Sequence, residues 1–512
     1  MITKLDVLFI SPGNSKGIYQ DLANEYATIE PPTWALLLAE SCRSKGYNVG
    51  ILDVNAEKLT DYEVLEKINN LNIKLLCFVV YGQNVNAGTV NMEGATHLSQ
   101  FLKQQNINIP ISYVGSYIQA LPKKCLEDEK SIDFGFTNEG VYALHNILSL
   151  DSINQDSIKN IRGIVRRENN EVVLNFPEKI VPNDRMDSDL PGYAWDLLPY
   201  KEKPLDLYRA PMWHAEYDQS KRSPYAAIQT SLGCQFACDF CMINILNRND
   251  DDEIGVAGNY STMRFWSPEF IIKEFDKLVE LGVSTIKITD EMFLLNRKYY
   301  VPLCEMLRDR GYGKFLRMWA YSRIDTVRRP ELLRLIREAG IKWLALGIES
   351  ADKTVRLEVS KGKFEDVDIE KVIQQVHDSD IEVMANYIFG LPGDTLESMR
   401  KTLEFSKKLC TIGWNAYAAM ALPGSKLYKD AIEKGTPLPD TYEGYSFHSY
   451  NTLPLPTESL TSQEILKFRD DAFNEYHMYE PFLNKIEKKF GKKSVDNIKE
   501  MTKIKLIRKI LE

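Results

Sequence analysis

Short apolar runs alternate with helical patterns twice along this chain, once before residue 115 and again between residues 225 and 421. In the first block the runs at 5–10, 49–54, 74–81 and 111–114 are separated by helical patterns at 34–44, 62–68 and 95–104. A continuously apolar run is what a strand buried on both faces needs, and intervening helices make such strands parallel. Residues 1–150 are therefore expected to form a doubly wound α/β sheet, with any ligand lying over the carboxyl ends of its strands. Those ends carry residues 11–17, 81–84, 115–116 and 138–140. The first of them, SPGNSKG, lacks the G-x4-G-K-S/T order of a phosphate loop.

The second block contains six strand-like segments, at 225–230, 284–289, 316–321, 343–347, 382–389 and 416–421, each followed by a helical pattern. Repeated strand–helix units curve into a barrel whose reactive face is the set of loops after the strands, and six units make a partial barrel, placed at 223–425. A connector, 151–222, joins the blocks. Its residues 161–176 alternate apolar and polar as a hairpin does, and 182–211 are rich in proline and aspartate. Tyr208, Trp213 and His214 are expected to dock at the interface there. Residues 426–512 read as mostly helical, with helices at 460–479 and 484–512. The second has Ile498, Met501, Ile504, Ile507 and Leu511 on one face and a lysine-rich, solvated opposite face. Between barrel and helices, the aromatic stretch 442–457 is expected to close the barrel opposite the N-terminal sheet, with Tyr445, His448 and Tyr450 toward the substrate.

The loop after the first barrel strand reads SLGCQFACDFCM, residues 231–242, and its cysteines Cys234, Cys238 and Cys241 are four and then three residues apart. Structural zinc wants four closed ligands, yet the next cysteine, Cys304, lies far downstream with no partner beside it. A disulfide requires an oxidising compartment, whereas the first apolar run is short and interrupted by Lys4 and Asp6, unlike a secretion signal. The chain is accordingly expected to be cytoplasmic with reduced thiols. Three thiolates on a [4Fe-4S] cluster leave one iron open to the amino and carboxylate groups of a small molecule. Cys304 and Cys410 are isolated, so no auxiliary cluster is expected.

With Phe240 before the last cysteine, the C-x3-C-x-aromatic-C pattern resembles the signature of the radical S-adenosylmethionine (SAM) superfamily. The resemblance implies SAM-binding residues at successive strand ends. Asp290, with Glu291 as alternate, is assigned to the methionine amino group, and Arg323 to its carboxylate. Glu349 and Ser350, in GIES, match the ribose motif. Ile388 and Gly390, in NYIFGLPG, lie in the strand whose backbone faces adenine, although the final acid of that motif is replaced here. The turn 422–425 (LPGS) is similar to the family's closing turn.

The segment 114–140 resembles the cobalamin-binding domain that precedes many such barrels. By that resemblance Ser11, Tyr81, Gln83 and Asn84 lie at the corrin, Gly115 and Ser116 lie beside its nucleotide tail, and Glu139 and Gly140 close the site. No D-x-H-x-x-G motif follows the first strand, so cobalamin bound without a histidine ligand is implied. LPGYAWDLLPY, residues 191–200 with Leu190, is similar to the segment linking the two domains in related enzymes.

The expected fold is thus α/β: a Rossmann-like cobalamin-binding domain, a partial (β/α)6 TIM-type radical SAM barrel and a C-terminal helical segment. The resemblance is to class B radical SAM methyltransferases. It implies reductive cleavage of SAM to a 5′-deoxyadenosyl radical and methyl transfer through methylcobalamin to an unactivated carbon of a small molecule of sugar or natural-product type. The alternatives are a cobalamin-dependent rearrangement or cyclisation without methyl transfer, and a cobalamin-binding regulatory protein with a structural cluster. A flavodoxin or ferredoxin is the implied electron donor. The net charge of −9 argues against nucleic acid, and no stretch approaches the ~18 apolar residues of a membrane span.

Overall fold

Both alternating blocks fold as parallel sheets, and their carboxyl ends face one another across a cleft in the computed structural model, which describes residues 3–82, 84–205, 207–359 and 367–512. The N-terminal strands are β1 (Thr3–Leu5), β2 (Val7–Ser11), β3 (Val49–Asp53), β4 (Leu71–Ile73), β5 (Leu76–Val80), β6 (Ile111–Gly115) and β7 (Phe134–Phe136). β1 and β4 form a small pair of their own. The others pair in parallel in the order β3-β2-β5-β6-β7. β5 and β6 are buried at every residue, as their continuous apolar runs require. From β2 the chain passes to β3 on one side and later to β5 on the other, so the strand order reverses between β2 and β5. A crevice opens at such a switch point.

The hairpin expected in the connector is β8 (Ile164–Glu168) and β9 (Glu171–Leu174). It extends the N-terminal sheet, β8 pairing antiparallel with β7, so the sheet has seven strands and reaches past residue 150. Alternation foretold the hairpin but carries no information about its neighbour, because β7 is only three residues long.

The second block supplies β10 (Tyr225–Ile228), then the short antiparallel pair β11 (Ser231–Gly233) and β12 (Met263–Phe265), then β13 (Thr285–Ile288), β14 (Arg317–Arg323), β15 (Ile341–Glu349), β16 (Glu382–Phe389) and β17 (Gly413–Ala418). β10, β13, β14, β15, β16 and β17 pair in parallel in chain order as an open, six-stranded half-barrel. The last strand begins three residues before the expected 416, because Trp414 packs inward on Tyr476 with ring centroids 5.1 Å apart.

The C-terminal helix expected over 484–512 is two helices, Glu480–Phe490 and Lys492–Lys503, broken at Gly491 with φ +94°. Beyond Lys503 the chain leaves the helix, and Ile507 is exposed. Arg508 anchors the segment that follows. It is buried, donates Nε to Asp470 Oδ2 at 2.9 Å, and donates its terminal nitrogens to Ser449 O and Phe447 O at 2.9 and 2.8 Å. Stretch 442–457 does not lie opposite the N-terminal sheet. Ser446 Oγ donates to Ile18 O at 3.0 Å, and Gln20 Nε2 donates to His448 O at 2.7 Å, strapping the stretch to that sheet's first loop. Tyr445 is consumed in the core, Tyr450 is exposed with its hydroxyl on Glu512, and His448 packs on Tyr19. Among the described residues, no helix is long and apolar enough to cross a membrane.

Candidate functional site

The cysteine loop is held from three sides. At its start, Asp290 accepts from Thr230 N, Thr230 Oγ1 and Ser231 Oγ, each at 2.6 Å. At its centre, Asn244 accepts from Cys234 N at 2.9 Å and donates to Phe236 O at 2.7 Å. Gly233 has φ +84°, and a Cβ there would come within 2.4 Å of Thr262 O, so only glycine makes this turn. The third hold comes from the other sheet: Asn86, in the turn after β5, accepts from Met242 N at 3.0 Å and donates to Cys241 Sγ at 3.5 Å.

The sulfurs collect N–H donors. Phe236 N donates to Cys234 Sγ and Ile243 N to Cys241 Sγ, both at 3.5 Å. Burial, reinforced by Glu291, pushes the Cys241 thiol well up. Its thiolate is therefore favoured only with a cation beside it. None of the eight cysteines forms a disulfide. Among the described residues, no group of His, Cys, Asp or Glu closes around a single metal ion. A cubane binds each thiolate through a different iron, so three cysteines in one loop, with N–H donors on Cys234 Sγ and Cys241 Sγ, fit an iron–sulfur cluster.

Around the triad, the expected SAM residues divide. Phe240 and Ile388 come together with Val355, Val359, Leu391, Ala419 and Tyr417 in one apolar cluster. Glu349, buried at the end of β15, has φ +65°, where the strand register shifts between Gly347 and Glu349. A non-glycine residue in that region stores strain of order 1–3 kcal/mol, which persists where position matters more than comfort. Glu291 lines the cleft with Ser231, Gly233 and Thr289. Arg323 lies over the Phe236 ring, 4.0 Å from its centroid, but also forms a bidentate pair with Asp325 at 2.9 and 3.0 Å. Its charge is therefore already balanced.

Two assignments do not survive. Asp290 lies on the cleft wall, but its carboxylate is already engaged by Thr230 and Ser231, so its role is to shape the loop and not to hold the ligand amine. Ser350 turns away, its hydroxyl 3.2 Å from Thr402 Oγ1 and accepting from Asp352 N. The left-handed backbone at Glu349 sends neighbouring side chains in unexpected directions, which strand alternation does not foresee. Gly390, at φ +77°, gives its N–H to Asp394 Oδ2 at 3.0 Å, so that donor is occupied.

On the N-terminal sheet, Ser11 and Tyr81 line a cavity of about 100 Å³ at the switch point, with Asp53, Asn55, Trp34, Glu30 and Asn91. Asn84 caps the following turn by accepting from Ala87 N at 3.2 Å, and it lines the cleft toward the barrel. Gln83 lies outside the described residues. Gly115 and Ser116 sit where backbones nearly touch, since a Cβ on Gly115 would meet Val80 O at 2.2 Å. Beside them the buried polar atoms Ser116 Oγ, Thr89 Oγ1 and Gln119 Oε1 have no partner. Buried polar atoms left unpaired cost about 1–3 kcal/mol each, and a polar ligand tail would repay them, so these residues fit cobalamin. Glu139 does not face that site: its carboxylate pairs with Arg264 Nη2 at 2.7 Å, both side chains buried, and holds Val181 N. Gly140, at φ +85°, starts the helix Val141–Leu148.

Residues 228–406 match the family described as the radical SAM superfamily, and residues 19–148 the B12 binding domain. The chain is a radical SAM protein with a B12-binding domain. Its cofactors are accordingly a [4Fe-4S] cluster, SAM and cobalamin. This radical SAM protein is 24% identical over 454 residues to the uncharacterized methyltransferase PH0819 of Pyrococcus horikoshii, covering 88% of each chain. It is 21% identical over 500 residues to the anaerobic magnesium-protoporphyrin IX monomethyl ester cyclase of Cereibacter sphaeroides, covering 92% of this chain and 70% of the cyclase. The solved structure of the cobalamin-dependent SAM radical enzyme OxsB shares its fold, with TM-score 0.66 at 14% identity over 98% of this chain and 71% of that one.

The sequence of this radical SAM protein did not point to Asn86, Asn244, Glu30 or Lys287. Isolated asparagines in loops carry no pattern. Lys287 had a signal, a lone cation inside the apolar strand Thr285–Ile288.

Proposed function

We propose that this cobalamin-dependent radical SAM enzyme transfers a methyl group to an unactivated carbon of a small molecule. One observation carries the reading: a single cleft is lined both by Tyr81, Gly82 and Asn84 from the N-terminal strand ends and by Ser231, Gly233, Asp290 and Glu291 from the barrel. Groups held on the two walls are within reach of one substrate.

In this reading Cys234, Cys238 and Cys241 hold the cluster, and Asp290 and Asn244 keep their loop in shape. Glu349 accepts from the ribose hydroxyls, and Phe240 and Ile388 flank the adenine. Glu291 faces the methionine amino group, with Arg323 behind it. Ser116, Thr89 and Gln119 satisfy the polar tail of cobalamin, while Ser11 and Tyr81 border the corrin. When bound, these groups supply the chemistry: an electron from a flavodoxin- or ferredoxin-type donor splits one SAM into methionine and a 5′-deoxyadenosyl radical that removes a substrate hydrogen, and a second SAM supplies the methyl group by way of cobalamin. The residues exclude water and other hydrogen donors: Trp34 and Tyr81 pack edge to face with centroids 5.6 Å apart, walling the cleft.

The relation to a cyclase across 92% of the chain favours a second reading, cobalamin-dependent ring formation without methyl transfer. Anaerobic reconstitution with iron, sulfide, cobalamin and SAM, followed by mass analysis of products from candidate substrates, separates the two. Methyl transfer adds CH2 and yields S-adenosylhomocysteine together with 5′-deoxyadenosine. Deoxyadenosine without S-adenosylhomocysteine would refute methyl transfer, and neither product would refute both readings.

A further inference from the structure

The turn after β5 meets both cofactor sites. Its residues Ala87, Val90 and Asn91 line the cavity at the switch point of the N-terminal sheet. Its Asn86 crosses to the barrel and grips the cysteine loop through both amide atoms, Oδ1 accepting from Met242 N at 3.0 Å and Nδ2 donating to Cys241 Sγ at 3.5 Å. The orientation of the amide is set by chemistry, because only the oxygen can accept from a backbone N–H. Asn86 is 155 residues from Cys241 in sequence, so this contact is a product of domain packing and not of the cysteine motif.

We propose that Asn86 is a positioning residue that tunes the cluster held by Cys234, Cys238 and Cys241, so that the cobalamin-side domain sets how readily the cluster accepts an electron. The inference rests on the reading of those cysteines as cluster ligands. An N–H directed at a cluster sulfur stabilises the reduced form, which carries the extra negative charge, and raises the reduction potential. Among the donors that reach these sulfurs are Phe236 N, Ile243 N and Asn86 Nδ2. The first two belong to the loop itself. Asn86 is the side chain among them, and it comes from the other sheet.

The test is a redox titration of the anaerobically reconstituted, full-length protein, followed by electron paramagnetic resonance of the reduced cluster. Asn86→Ala removes the donor and the acceptor. Asn86→Asp keeps an acceptor for Met242 N, and with it the loop's shape, but removes the donor and sets a carboxylate against the sulfur. Both variants are expected to load iron as the wild type does, because all three thiols remain. Both are expected to show a more negative midpoint potential, Asn86→Asp the more so. Loss of one charge-assisted hydrogen bond shifts the reduction equilibrium about tenfold, about 59 mV for a one-electron couple. If iron loads normally and both midpoints equal the wild type's, the inference is wrong and the ligand assignment stands. If Asn86→Ala shifts and Asn86→Asp does not, Asn86 only shapes the loop, and the tuning role is refuted. If the wild type itself builds no cluster, the ligand assignment falls first.

Discussion

Lys287 and Glu30 form a buried ion pair across the cleft, with Lys287 Nζ 2.8 Å from Oε1 and 3.1 Å from Oε2 and side chains 1% and 9% exposed. Lys287 stands on β13 of the half-barrel, and Glu30 on the loop that leaves the N-terminal sheet. Tyr225 also donates to Glu30 Oε1 at 3.2 Å, and the Lys287 ammonium lies 5.0 Å from the Trp319 ring centroid. Removing one partner strands a charge in a low-dielectric site, which costs about 3–5 kcal/mol, whereas removing both costs far less. Lys287→Ala is therefore expected to lower the urea midpoint followed by tryptophan fluorescence, and Lys287→Met combined with Glu30→Gln to recover most of the loss. Equal midpoints for Lys287→Ala and wild type would show the pair to be energetically idle.

Each of Cys234→Ala, Cys238→Ala and Cys241→Ala is expected to abolish the charge-transfer absorbance of the reconstituted protein and to bring SAM cleavage to background. The loop's hydrogen bonds to Asp290 and Asn244 do not involve these sulfurs, so the variants should stay folded. Full cleavage by any one of them would remove that cysteine from the ligand set.

Glu349 and Ser350 are adjacent, and the Ser350 hydroxyl is engaged with Thr402 and Asp352, whereas Glu349 is the residue assigned to the ribose. Glu349→Gln is expected to weaken SAM binding about tenfold, the worth of a hydrogen bond to a charged group. Ser350→Ala should leave the dissociation constant within about twofold, on the same scale. Equilibrium dialysis with labelled SAM measures both.

Asp53 closes β3 and accepts from Tyr208 OH and Ala56 N, each at 3.1 Å. Burial raises its pKa from 3.8 to about 7, against the lowering effect of those two donors. A raised carboxyl pKa means that the folded state holds a proton the unfolded chain has released, so its contribution is present below about pH 4 and fades as pH rises through 7. The wild type is expected to lose at most about 4 kcal/mol across that window relative to Asp53→Asn. Denaturation of both proteins at pH 5 and pH 8 measures the difference, and parallel pH profiles would contradict it.

What the chain determined by itself is whatever depends on local spacing. Apolar runs separated by helical patterns specify two parallel sheets, because the periods of two and 3.6 residues act over a few neighbours. The cysteine loop is equally local, its three thiols lying within eight residues. Tertiary structure decided what each charge engages. Asp290 and Glu291 are chemically alike neighbours on the cleft wall, and it is the packing of Thr230 and Ser231 against the first that engages its carboxylate in holding the cysteine loop. Glu139 was claimed by Arg264 and Glu30 by Lys287, partners 125 and 257 residues away. A buried charge takes whichever opposite charge the fold delivers, and delivery over such separations is set by how two sheets meet, which no local pattern encodes.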